Sequence, residues 1–259
     1  MELKLNWKVF VANFLAVIMF IPGLIFLTDK PDVCMIGHRG YSGKYPDNTE
    51  LSFMKAAEKG FGGAETDVRL TKDGVFVLSH DDEIFFEDGT TAVISENNYA
   101  DLVKKPLKNE KTRKDKVYLC TFERYLEIMR DNDMVCFIEL KGAYTDDEIK
   151  ELFELADEVY DLPKCILQSF NFDNLVKTKN MFPELPVMLT YGTNDTDYER
   201  CFEYGISIDA NLNQLTDEMV EAFHERGLLV ATYTANTIFR KTYCKSFGVD
   251  FIESDYFAK

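Results

Sequence analysis

From residue 32 onward, short runs of β-branched, aromatic and other apolar residues alternate with longer stretches whose apolar positions recur every three or four residues. The short runs predict strands at 33–37, 64–70, 75–79, 134–140, 165–168, 186–190, 206–209, 228–232 and 250–252. Amphipathic helices fill most of the intervals, and several carry start and stop signals. Asp47 with Glu50 reads as an N-cap and capping box ahead of Leu51, Met54 and Ala57, with Gly60 as the stop. Thr145 with Glu148 repeats the arrangement ahead of Ile149, Leu152, Phe153 and Ala156. Thr216, followed by Asp217 and Glu218, opens a helix that Gly227 ends.

Strand–helix alternation of this kind implies a mainly parallel sheet, closed into a barrel or open and doubly wound. An open nucleotide-binding sheet needs a glycine-rich phosphate loop after its first strand, and no G-x-G-x-x-G is present. The expected fold is therefore an α/β, irregular TIM (β/α)8 barrel spanning residues 31–259. Nine strand runs exceed the eight of such a barrel. The extra one follows the turn Thr71-Lys72-Asp73-Gly74, which joins two runs with no helix between them and carries a hairpin signal. Residues 81–118 break the alternation, are polar and charge-rich, and read as an insertion on the active-site side.

The N-terminus follows a different pattern. Residues 9–27 are almost uninterruptedly apolar, close to the roughly 20 residues that cross a bilayer core. Lys4 and Lys8 precede this stretch, and no excess of positive charge follows it. The positive-inside rule then expects residues 1–30 to form a single-pass transmembrane anchor, with residues 31–259 on the extracytoplasmic side of the membrane. A cleaved signal peptide fits less well, because the stretch is long and no small-x-small site follows it. A buried core helix lacks its polar stripe.

Composition narrows the function classes. Of 259 residues, 45 are Asp or Glu against 29 Lys or Arg, a net charge of -16 that argues against a nucleic-acid partner. An anionic small substrate stays possible where a cation or local Arg and Lys residues reverse the field. The six cysteines form no CxxC pair, so zinc-ribbon and thioredoxin-like readings lack support, and they read as small buried hydrophobes.

Ionisable residues gather where a parallel barrel places its chemistry, at the C-terminal ends of strands. His38-Arg39-Gly40 follows the first strand, Glu65-Thr66-Asp67 lies in the second, His80-Asp81 follows the third run, and Glu139-Leu140-Lys141 ends the fourth. Glu65 and Asp67 are two apart, as are Glu139 and Lys141, so each pair shares a strand face. Three inward carboxylates without a matching set of basic partners suggest a hard divalent cation, Mg²⁺ or Ca²⁺. Any one of these residues could equally be an ion pair or a strand-end cap. The third histidine, His224, sits late in a helix and reads as structural.

The order and spacing of His38-Arg39-Gly40-Tyr41, Pro46-Asp47-Asn48-Thr49, Glu65-Thr66-Asp67-Val68, Thr71-Lys72-Asp73-Gly74 and His80-Asp81 resemble the glycerophosphodiester phosphodiesterase signature. Glu139-Leu140-Lys141, Ser169-Phe170, Tyr233-Thr234-Ala235-Asn236, Gly248-Val249-Asp250 and Ser254-Asp255 extend the resemblance toward residue 256. The family commonly has Glu where Asp47 stands and often Trp where Tyr233 stands. The resemblance implies a metal-dependent TIM-barrel hydrolase that cleaves glycerophosphodiesters to glycerol 3-phosphate and an alcohol. It implies Glu65, Asp67 and Glu139 as ligands of Mg²⁺ or Ca²⁺, and His38 and His80 as general acid and base. Arg39 and Lys141 would then face the substrate phosphate. Lysophospholipids are alternative substrates, in the manner of a lysophospholipase D or phospholipase C. The alternative from another class is a barrel without catalysis that serves as a binding or scaffold protein.

Overall fold

A computed structural model describes residues 33–257. Its eleven strands are β1 (Cys34–Gly37), β2 (Gly63–Leu70), β3 (Phe76–Leu78), β4 (Glu83–Phe85), β5 (Thr91–Val93), β6 (Val135–Leu140), β7 (Cys165–Ser169), β8 (Val187–Tyr191), β9 (Ser207–Asn211), β10 (Val230–Tyr233) and β11 (Phe251–Ser254). The helices are α1 (Glu50–Lys59), α2 (Tyr99–Leu102), α3 (Phe122–Asp131), α4 (Asp146–Val159), α5 (Phe172–Met181), α6 (Arg200–Tyr204), α7 (Asp217–His224) and α8 (Ile238–Phe247). Strands β1, β2 and β6 through β11 pair in parallel in chain order, and β1 also pairs with β11, which closes an eight-stranded barrel. All nine predicted runs are strands. The ninth is β3, antiparallel to β2 across the Thr71–Gly74 turn, in which Thr71 Oγ1 donates to Asp73 Oδ1 (2.7 Å).

The apolar stripes of the helices pack on the outside of the barrel. Ile149, Leu152, Phe153 and Ala156 of α4 are all buried, and the helix starts as expected, with a reciprocal Thr145–Glu148 capping box. Thr216 likewise caps α7, although that helix ends at His224, before Gly227. The start of α1 differs from expectation. Its N-cap is Thr49 and the partner is Ser52, not Asp47 and Glu50. The shift follows from what the preceding residues do, because Asn48 is turned inward to hold a strand carboxylate (below). Five cysteines are buried and Cys34 is half-buried.

Inside the barrel, Ile36, Phe137, Ile166, Met188 and Ala231 form an apolar floor. Moving two residues along a strand brings the next side chain of the same face. Above the floor the inward positions turn polar, and that transition builds the site. The insertion is ordered: β4 and β5 pair, and Ile84, Phe86, Ile94 and Leu102 form a small core of their own with Val77 and Leu119. The expected transmembrane anchor, residues 1–30, lies outside the described residues. Among the described residues no helix is long and apolar enough to cross a membrane.

Candidate active site

Strands β2 and β6 run side by side in a register that sets Asp67 beside Glu139, with Glu65 one inward step below. All three are nearly fully buried. One ligand atom from each lies within 4.8 Å of the others. The carboxylates are less short of basic partners than their sequence pattern suggested. Lys141 Nζ reaches both Glu139 Oε1 (2.6 Å) and Asp67 Oδ1 (2.9 Å), and the Arg39 guanidinium lies 3.3 Å from Asp67 Oδ2. Glu65 is the exception: its Oε2 accepts only the backbone N–H of Arg39 (2.8 Å), and its Oε1 is buried with no hydrogen-bond partner. A buried carboxylate oxygen left bare costs free energy unless a cation or a proton meets it. The set of hard oxygen donors suits a Mg²⁺- or Ca²⁺-sized ion, so the residues present fit the metal that the signature implies.

The β1–α1 connection brings Arg39 there. Arg39 (φ 54°) and Gly40 (φ 79°) are both left-handed, and a side chain at Gly40 would strike Ser52. The turn thereby aims the Arg39 N–H at Glu65 and its guanidinium at Asp67, with Asp47 3.7 Å away. Asn48, also left-handed at φ 54°, is buried and completes the support. Its Nδ2 donates to Asp67 Oδ2 (2.7 Å), and its Oδ1 accepts from Thr66 Oγ1 (2.9 Å) and the Asp67 N–H (3.1 Å).

His38 closes β1. Its Nδ1 lies 2.7 Å from Asp255 Oδ1, which also accepts from Ser42 Oγ (3.0 Å), while Asn236 Nδ2 donates to Asp255 Oδ2 (2.6 Å). Burial pushes the Asp255 carboxyl up, but the hydrogen bonds from His38, Asn236 and Ser42 outweigh it and hold it down to about 2. Being ionised, Asp255 accepts, so Nδ1 of His38 carries the proton and Nε2 is left for chemistry. His80 follows β3, with Nδ1 2.8 Å from Asp81 Oδ1 and its backbone carbonyl held by Arg69. Burial and then the positive charges of Lys141 and Arg39 lower its pKa, which favours the neutral imidazole. His224 stands apart at the end of α7, 3.1 Å from Asp250.

Electrostatics divides the carboxylates. Burial pushes Glu65 well above the usual carboxylate range, and the charges of Asp67, Glu253 and Glu139 push the same way. Burial likewise raises Glu139, and Lys141 reverses this only in part. For Asp67 the cations win over burial, and its carboxyl lies below its ordinary value.

Beside Glu65 lies a group that the motif reading missed. Gln168 Nε2 bridges Asp209 Oδ2 and Glu253 Oε1, each at 2.8 Å, and all three are buried. Position in the chain was the available signal: Glu253 lies on the last strand, two residues before Asp255, which directly follows that strand.

A family model described as the glycerophosphoryl diester phosphodiesterase family matches residues 38–259. The chain belongs to that family. Among glycerophosphodiester phosphodiesterases named as such, one from Caldanaerobacter subterraneus is 33% identical over 167 residues, 61% of this chain and 66% of its own length. The uncharacterised protein YqiK of Bacillus subtilis is 31% identical over 78% of this chain and 86% of its own length. A solved phosphodiesterase from Oleispira antarctica, in complex with the product sn-glycerol-3-phosphate, superposes with a TM-score of 0.78 at 26% identity, covering 86% of this chain and 92% of that one. In this family member two cavities meet at Arg39. One of about 280 Å³ is lined by His38, Ser42, Asp47, Lys111 and Asp255, and one of about 190 Å³ by His80, Asp81, Ile84 and Phe85. The insertion contributes to both walls. A larger cavity, about 580 Å³, lies away from this chemistry between α1, α2 and residues 116–121.

Proposed function

We propose that the protein hydrolyses glycerophosphodiesters to glycerol 3-phosphate and an alcohol, with His38 and His80 as the acid–base pair. The observation that carries this reading is the placement of Arg39 between two cavities, one walled by each histidine, directly above the buried carboxylates. A phosphodiester is an anion that repels nucleophiles, and the Arg39 guanidinium offers paired donors suited to its oxygens. Glu65, Asp67 and Glu139 would hold a divalent cation, Mg²⁺ or Ca²⁺. When bound it supplies charge that polarises the phosphoryl group and favours attack. Lys141 holds Asp67 and Glu139 in place through its two ion pairs.

His80, neutral at the start, takes the proton of the attacking oxygen, which comes from water or from the substrate's own glycerol hydroxyl. His38 enters this step as the imidazolium, with Nδ1–H held by Asp255; it gives the Nε2 proton to the departing alkoxide and is left as the neutral Nδ1–H tautomer. The presence of both histidines and all three carboxylates in the chain supports this reading over a barrel without catalysis. Residues 9–27 would tether the catalytic domain on the extracytoplasmic side of a membrane, near lipid headgroups; protease accessibility of the barrel in intact cells tests that orientation.

The acid and base roles separate on a substrate whose leaving group needs no proton. H38A and H80A should each lose about 10²- to 10⁴-fold in turnover of a glycerophosphodiester with an alkyl alcohol. With p-nitrophenol as the leaving group, H38A should recover most of its loss and H80A should not. Full turnover of the alkyl ester by either variant would overturn the two-histidine assignment.

A further inference from the structure

Glu65 belongs to two groups of candidate ligands. Besides its place with Asp67 and Glu139, it joins His38 and Glu253, and one ligand atom from each of these three also lies within 4.8 Å of the others. We propose that His38, Glu65 and Glu253 form a second cation site, of mixed nitrogen and oxygen donors, that takes Zn²⁺ and thereby silences the enzyme. The silencing rests on the acid–base role given to His38 above; the site itself does not.

Three observations support it. The donor sets differ in kind: the Glu65–Asp67–Glu139 trio is all oxygen, which suits Mg²⁺ or Ca²⁺, whereas an imidazole with two carboxylates is a zinc set. A histidine that ligates zinc commonly donates its other N–H to a carboxylate, which fixes the ring. Asp255 does this to Nδ1 of His38 at 2.7 Å and leaves Nε2 as the ligand atom. Finally, both carboxylates are buried, and one of them has a bare oxygen. Glu253 is 2% exposed, and its Oε1 accepts the Gln168 amide at 2.8 Å. Glu65 Oε1 is buried with no hydrogen-bond partner at all. The His38 side chain is 19% exposed, so an ion can arrive from the His38 cavity.

A Zn²⁺ ion there occupies the Nε2 lone pair that otherwise carries the proton for the leaving alkoxide, so the cost falls on turnover and not on phosphate binding by Arg39. Glu253 plays no part in the proposed reaction, which makes it the residue to change.

The test is calorimetric titration of Zn²⁺ into the full chain kept saturated with Mg²⁺. Wild type should take up one Zn²⁺ per chain with Mg²⁺ in place, and E253Q should bind it at least about tenfold more weakly. The ¹⁵N signal of the His38 ring should move on zinc addition. Zinc should inhibit the Mg²⁺-loaded wild type and leave E253Q turning over. No zinc uptake by the wild type under saturating Mg²⁺ would overturn the site, whether or not E253Q folds. So would zinc binding that E139Q weakens and E253Q does not, since the ion would then be displacing Mg²⁺ from the oxygen trio. An enzyme that turns over and ignores zinc defeats only this proposal. One that binds zinc as described but hydrolyses no glycerophosphodiester defeats the proposed function and leaves the site standing.

Discussion

Replacing Asp255 by Asn keeps the shape of the side chain and removes its charge, and so asks whether the orientation of His38 matters. In the native protein the carboxyl is held down to about 2 against an ordinary 3.8. At about 1.4 kcal/mol per pH unit, its surroundings favour the ionised form by roughly 2 to 3 kcal/mol. The pKa is lowered, so this stability is present above the unfolded value and is lost as pH falls through the folded one, between about pH 4 and pH 2. D255N should therefore be less stable at pH 7 by about 1 to 2 kcal/mol, because the amide still makes some of the bonds. The catalytic loss should be larger. An amide can present its NH₂ to Nδ1, which moves the His38 proton to Nε2 and withholds the tautomer needed to complete the cycle. Comparable losses of the orienting carboxylate in histidine-based catalysis reach about 10⁴-fold, so kcat should fall by at least about 10²-fold with KM within a few-fold. Glycerol 3-phosphate release reads the first quantity and a thermal melt the second. A folded D255N whose kcat stays within about threefold of wild type would refute the role given to the Asp255–His38 pair.

Other consequences are as specific. N48A removes the bonds that hold Asp67 and places Ala in a left-handed backbone; divalent-cation affinity should drop about 10- to 100-fold, read by calorimetry. Burial and like charge raise the Glu65 and Glu139 carboxyls, so protons should displace the cation starting above the usual carboxylate range. Mg²⁺ affinity that stays flat down to pH 5 would contradict this. His80 must be neutral to act and its pKa is lowered. The acid limb of kcat/KM should accordingly lie below the ordinary imidazole value of about 6.5, and a limb above it would exclude His80 as the base.

Strand positions were legible in the sequence because burial on both faces leaves short, uniform apolar runs, and because hairpin chemistry at Thr71–Gly74 marked the extra strand. The parity of Glu65 with Asp67, and of Glu139 with Lys141, carried the heart of the site directly. Supporting residues were harder to see. Asp47 and Glu50 had the letters of a capping box, but Asn48 is committed to Asp67, and the helix begins two residues later on Thr49. Glu253, Asp209 and Gln168 sit in strands that read as ordinary core. Their meeting depends on barrel closure, which joins β11 to β1 from opposite ends of the chain. The insertion broke the strand–helix alternation, and its own fold was not legible, because its apolar residues are few and widely spaced. They suffice once Val77 and Leu119 complete their small core.

The most direct test of the function is turnover by the full chain, stripped of metal and then restored with Mg²⁺ or Ca²⁺, on a panel of glycerophosphodiesters and lysophospholipids. Release of glycerol 3-phosphate that appears with the metal, vanishes with chelator and is lost in E65Q is the expected result. A folded, metal-restored protein that releases none from any member of the panel would contradict it.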